Sequence, residues 1–252
     1  MSQGHSLRNF HITSTRSLNF LPVISPLIIK SEIKQHLFHS IPERVTNRGK
    51  YHKDLREKKI LQEIEKYQDS DVKLNIIIKS GLKEKLAHIV IEAGIEATGD
   101  RDFRYELSHH VKNNFTSSKT GMPAFGYEIP TPISFIAPIM IKHINMNKVN
   151  RKKNTDLLVN HTPAFVVISA KKDNKQCWIK VGRIYERIAL YCTKSGLATQ
   201  PMAAPIQISK HFVELQKLLG IKYRPTFFFR LGRPLRECQH SPRLGVGEIL
   251  EV

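Results

Sequence analysis

Two short apolar runs on either side of an amphipathic stretch limit the fold more than any other feature of this chain. "PAFVVISAK" (163–171) and "RPTFFFRLG" (224–232) are rich in β-branched and aromatic residues and are bounded by proline. Runs of that length and composition predict buried strands. Between them, "WIKVGRIYERIALYCTKSG" (178–196) places Val181, Ile184, Ile188 and Tyr191 at i, i+3, i+7 and i+10. That spacing predicts a helix with one stripe against a core. Gly196 is its expected terminator, because glycine tolerates positive φ. A second, shorter helix is expected over "KHFVELQKLLG" (210–220), capped by Gly220.

The remainder mixes helices and strands without a regular βαβ count. Ile33, Leu37 and Phe38 mark one helical face up to Pro42, and "REKKILQEIEKY" (56–67) turns Ile60, Leu61 and Ile64 inward. "VKLNIIIK" (72–79) predicts a strand. "KEKLAHIVIEAGIEA" (83–97) predicts a helix with Leu86, Ile89, Val90 and Ala93 on its stripe, and "DFRYELSHHVKNN" (102–114) predicts another of mixed polarity. "GMPAFGYEIPTPISFIAP" (121–138) carries four prolines and two glycines, which speaks against regular structure there. An α+β class follows. After Gly196 the chain is expected to open into a loop of Thr, Gln, Pro and small residues.

Composition narrows the function. Of 252 residues, 40% are apolar, and no run approaches the length of a membrane-spanning helix. Cys177, Cys192 and Cys238 are odd in number and far apart, which fits neither a disulfide framework nor a zinc site and agrees with a cytoplasmic setting. The 40 Lys and Arg against 22 Asp and Glu give a net charge of +18. Such a field attracts anions. The basic residues are dispersed, however, with clusters at 47–59 and 147–154 and no RNA-binding aromatic signature, so nucleic acid is not the expected partner. Residues 1–29 lack any acidic residue and imitate a targeting segment. Two prolines in "FLPVISPLII" and the lack of a small-x-small cleavage site argue against secretion, and an irregular or truncated start over 1–40 is the other reading.

The twelve histidines show no metal-ligand spacing; His109 and His110 are adjacent and point different ways on a helix, so no metal is expected. Hydrolase elbows, phosphate-binding P-loops and dinucleotide glycine signatures are lacking, and no catalytic dyad stands out. "PERVTNRGKY" (42–51) puts Arg44, Thr46 and Arg48 on alternate positions. If extended, these three share a face, and guanidinium forks beside a hydroxyl make a phosphate clamp. A solvated basic turn is the competing reading.

In order along the chain, these segments resemble the nitroreductase family of flavin mononucleotide (FMN) enzymes, closest to its Acg-type branch of two fused halves. "IPERVTNRGKY" resembles the opening Arg-x-Ser/Thr-x-Arg, and "FRYELSHHVKNNFTSSKTGMPAFGYEIP" the branch's central segment. "WIKVGRIYERIALYCTKSGLATQPM" resembles the long central helix and its Gly-Leu-x-x-x-Pro loop. "RPTFFFRLGRP" resembles the strand ending in Arg-Leu-Gly, and "SPRLGVGEIL" the closing basic turn. The likeness spans residues 41–252.

The resemblance implies a nitroreductase-like domain over 41–252, with a mostly antiparallel sheet flanked by helices. It implies an NAD(P)H oxidoreductase passing hydride through flavin N5 to a nitroaromatic or quinone-like acceptor, with the chemistry on the flavin. FMN would be held by Arg44, Thr46, Arg48 and Arg243 at its phosphate, with Pro201, Met202 and Ala203 beside its ring. A homodimer is implied, with an interface around 121–138 and the outer face of helix 178–195. Two departures stand beside this. Residues 1–40 contain no Asn-x-Gln-Pro-Trp segment, and Pro201-Met202-Ala203-Ala204 lacks the acidic residue and glycine common there. They keep open a degenerate, non-enzymatic flavin- or anion-binding protein.

Overall fold

The computed structural model describes residues 35–55 and 58–249. Among the described residues six strands form in chain order: β1 (Val72–Ile77), β2 (Val111–Lys112), β3 (Met122–Pro123), β4 (Ala164–Ala170), β5 (Ala198–Pro201) and β6 (Arg224–Gly232). Four of them make one antiparallel sheet in the order β1-β4-β6-β5, and β2 pairs with β3 separately. Helices flank the main sheet. The α+β class and the antiparallel sheet agree with the expectation.

Every residue of β4 is buried, which explains why its sequence is apolar without alternation. Because successive side chains point to opposite faces, β4 feeds two cores at once. Val166 and Ile168 join Phe229 and Leu231 of β6 against the helix Lys175–Lys194. Phe165 and Val167 join Phe228 on the other face, against the helix Ser80–Gly99 and Leu215 of the helix Ser209–Leu219. Phe165 and Phe228 stack with ring centroids 5.4 Å apart. Burying each such ring contributes about 1.5–3 kcal/mol.

The predicted stripes form as expected. Val181, Ile184 and Ile188 are buried, with Tyr191 packed beside them. Leu86, Ile89, Val90 and Ala93 are buried on Ser80–Gly99, and Leu61 and Ile64 on Lys58–Glu65. The Lys175–Lys194 helix begins three residues before Trp178, because the Asn174 side chain accepts from the Cys177 amide at 2.9 Å. Gly196 adopts φ +69° and ends the helix, and Gly220 caps Ser209–Leu219.

Other expectations need correction. The helix predicted over 102–114 is Arg101–His110, and Val111–Lys112 leaves it to pair with β3. Gly121 makes that pairing possible: at φ +91°, a Cβ there would stand 2.6 Å from the His110 carbonyl. The segment 121–138 is not irregular. It folds into β3, a tight turn Ala124–Tyr127 and short helices Thr131–Ser134 and Ala137–His143. Pro132 and Pro138 sit in the first turns, where no amide is needed. The expected loop after Gly196 begins as strand β5. The basic run at 147 forms a helix, Asn147–Thr155, with no buried residue; Arg151 is held there by Glu92. On the first helical face Leu37 is buried but Phe38 is exposed. Ile33 and the rest of residues 1–34 lie outside the described residues, as do Arg56 and Glu57.

Candidate functional site

β5 is an edge strand, and its free side is where the 44–51 segment settles. Thr46 forms a parallel bridge with Thr199 of β5, and Tyr51 bridges Pro234 just past β6. Covering the edge in this way protects it from further pairing. Polar bonds hold the segment's shape. The buried Asn47 donates to the Arg236 carbonyl at 2.9 Å and accepts from the Gly49 amide at 2.8 Å. The Tyr51 hydroxyl donates to the Asn47 carbonyl at 2.7 Å. Burial pushes the Tyr51 phenol far up, against the opposing charge of Arg230. It therefore remains a donor.

Beside this segment lies a cavity of about 190 Å³ whose lining includes Arg44, Thr46, Arg48 and Arg243. Four residues from opposite ends of the sequence thus meet at one place. Each guanidinium already has a protein partner. Arg44 Nε is 3.4 Å from Glu186 Oε1, with both groups partly exposed. The Arg48 guanidinium lies 4.7 Å from the Tyr127 ring centroid. Arg243 donates to the Ile41 carbonyl at 3.1 Å and the Arg44 carbonyl at 2.6 Å. These are weak or neutral partners, since exposed ion pairs contribute about 0–1 kcal/mol. A dianion reaching the cavity would meet three charged donor groups.

A larger cavity of about 520 Å³ adjoins it, sharing Arg48, Phe125, Gly126, Cys238 and Gln239. Its wall includes Glu128, which holds the left-handed conformation at φ 57° and pairs with Lys153 at 3.2 Å. Burial raises the Cys238 thiol, so it stays protonated rather than becoming a nucleophile. No three metal-ligating side chains come together among the described residues.

Pro201, Met202 and Ala203 line neither cavity. Pro201 and Ala203 are exposed at the end of β5. Met202 packs into the second core, and its amide donates to the Phe228 carbonyl at 2.9 Å. The parallel Thr46–Thr199 bridge sets the 44–51 segment and this turn on the same sheet edge. Asn47, Gly49, Tyr51 and Arg230 were not foreseen as site residues. Only the charge inside "FFFRLG" signalled one of them.

No family model matches the chain, and no curated protein matches it. Solved structures do. An FMN-bound nitroreductase from Bacteroides fragilis aligns at TM-score 0.53 and 13% identity, covering 86% of this chain and 98% of that one. The FMN-dependent nitroreductase NfnB from Mycobacterium smegmatis, solved with NADPH, aligns at TM-score 0.57 and 14% identity, over 88% and 99%. The chain has the nitroreductase fold. In this fold the 44–51 segment bridges β5 at Thr46, and Arg243 from the C-terminal segment donates to the Ile41 and Arg44 carbonyls beside it. Among the described residues, no helix is long and apolar enough to cross a membrane.

Proposed function

We propose that this chain is an FMN-dependent NAD(P)H oxidoreductase of nitroreductase type, with residues 41–252 as its flavin domain and the cytoplasm as its setting. The observation that carries the reading is the meeting of Arg44, Thr46 and Arg48 with Arg243 at one cavity on the β5 edge. FMN and NADPH in the neighbours of the same fold support it.

The residues fit the group. Three guanidinium groups and a hydroxyl suit a phosphate dianion, which they would hold by charge-assisted hydrogen bonds. The exposed Pro201 and Ala203 present backbone without bulky side chains, so a flat ring could approach it closely. Bound FMN would supply the hydride chemistry, and NAD(P)H the reducing equivalents, for a nitroaromatic or quinone-like acceptor. The chain's own part is to bind, orient and shield. No side-chain acid or base is required to carry the chemistry.

Assembly follows the same reading. Ile133, Phe135, Ile136 and Ile139 are exposed together, and Phe115 lies 6.0 Å from Phe135. Trp178 and Ile179 are exposed at the start of the Lys175–Lys194 helix, but farther along its outer face Gly182, Arg183 and Glu186 follow. The homodimer contact is therefore proposed through 133–139 and the first helical turn only. An exposed apolar patch of this kind marks an association site.

A non-enzymatic anion-binding protein is the second reading. The net charge of +18 and the Pro201-Met202-Ala203-Ala204 turn, which lacks the acidic residue and glycine that the resemblance implies, favour it. Purified protein given FMN, desalted and scanned before and after NADPH separates the two. Retained flavin that bleaches supports the enzyme; retained flavin that does not bleach supports the binding protein; no retained flavin removes both flavin readings.

A further inference from the structure

Among the described residues Arg230 is the largest fully buried side chain, with a relative exposure of 0%. Its acceptors are all neutral. Nε donates to Gln200 Oε1 at 2.6 Å, Nη2 to the Gly49 carbonyl at 2.6 Å, and Nη1 to the His161 carbonyl and Thr162 Oγ1, each at 3.4 Å. Its guanidinium stacks 4.1 Å from the Tyr51 ring centroid. Among the described residues no carboxylate forms an ion pair with it. Burial lowers its proton affinity, yet an arginine remains charged in proteins.

A buried cation without a counter-ion is expensive, and such groups are ordinarily paired. Here a neutral glutamine stands where a glutamate would fit the same space. The charge lies directly beneath the Asn47–Tyr51 segment, whose residues Asn47, Arg48 and Gly49 line the larger cavity. Two consequences follow from one side chain. The bond to Gly49 and the stacking on Tyr51 fix the segment that presents Arg48. Glu128, on the wall of the larger cavity, attracts the charge without forming an ion pair with it, so a charge without a direct counter-ion reaches the cavities through protein of low dielectric.

We infer that Arg230 is a positioning residue for an anionic ligand, fixing the clamp segment from below and leaving its own charge for the ligand's phosphate to neutralise. This deepens the FMN reading and rests on it for the identity of the ligand. It does not rest on it for the anion.

Gln200→Glu is the decisive variant. It keeps the size of the side chain and supplies Arg230 with a carboxylate in direct contact, so the fold should be retained while the charge left for a ligand disappears. FMN affinity should fall on the order of tenfold, the effect of a unit charge roughly 10 Å away at an effective dielectric of about 20. Riboflavin, which lacks the phosphate, should bind Gln200→Glu and the unaltered protein alike. Equal loss for both flavins would indicate a merely structural change and overturn the inference, as would no loss for either. Arg230→Lys, which keeps the charge but not the fork, should retain part of the preference for FMN over riboflavin.

The same variants are compared for the rise in melting temperature produced by inorganic phosphate, a probe that needs no flavin. If the unaltered protein binds neither flavin, the FMN reading fails. The inference then stands if phosphate stabilises the unaltered protein more than Gln200→Glu, and falls if it stabilises both equally or neither.

Discussion

The β4–β6 pair and the β5 edge are adjacent parts of one sheet, held by different physics. In β4 and β6 the contacts are apolar and non-directional: Phe165, Val167 and Phe228 fill one face, Val166, Ile168 and Phe229 the other. At the edge, the 44–51 segment is held by directed bonds from Asn47, Tyr51 and Arg230 to named atoms. Area burial tolerates substitutions of like volume, whereas a directed bond fails when either partner changes. The centre should therefore tolerate substitutions of like volume, whereas the edge should not tolerate loss of either partner of a bond.

The largest expected effect lies in the centre. Phe229→Ala should lower unfolding free energy by about 3–5 kcal/mol, the usual loss for a buried aromatic ring, measured by urea denaturation. A loss under about 1 kcal/mol would mean that Phe229 is not the core residue described.

Tyr51→Phe should act at the edge instead. It removes the hydroxyl from the buried Asn47 carbonyl, at about 1–2 kcal/mol. Amide exchange should quicken around 47–51 while β4 amides stay protected. Uniform quickening through the sheet would erase the contrast between the two regions.

Assembly should respond to charge on the exposed patch. Phe135→Glu together with Ile136→Glu should give a monomer by light scattering without loss of secondary structure. An unchanged mass would move the interface elsewhere.

The smallest effect concerns pH. The Lys180 ammonium, hydrogen-bonded to Asp71, holds that carboxyl below the usual carboxylate range, and Lys180 also faces Asp69 at 3.7 Å. A lowered folded-state value means stability that is present above the unfolded value near 3.8 and is lost as pH falls through the folded one. Asp71→Asn should flatten the acid limb of a stability-against-pH curve and leave its neutral region nearly unchanged. The exposure of this pair keeps the effect small.

This contrast also explains what the sequence made legible. The apolar runs 163–171 and 224–232 and the Val181-Ile184-Ile188 stripe report burial by local pattern, so the central elements could be read directly. The alternate spacing of Arg44, Thr46 and Arg48 marked them as one candidate group, and they line one cavity with Arg243. Nothing local states that Asn47 finds the Arg236 carbonyl, or that Arg230 lies under Gly49. Those partners are set by sheet topology across 189 and 181 residues. The helix Asn147–Thr155 escaped notice for a related reason: with no buried residue, it has no apolar period to read.

The central claim is that Arg44 and Arg48 grip the phosphate of a flavin. The direct measurement is an FMN titration, followed by flavin fluorescence, of the unaltered protein and of the double variant Arg44→Ala, Arg48→Ala. The account predicts saturable binding by the unaltered protein. Each lost charged hydrogen-bonding group should weaken FMN by roughly 1.5–3 kcal/mol, with riboflavin affinity little changed. A double variant that binds FMN as tightly as the unaltered protein would contradict it.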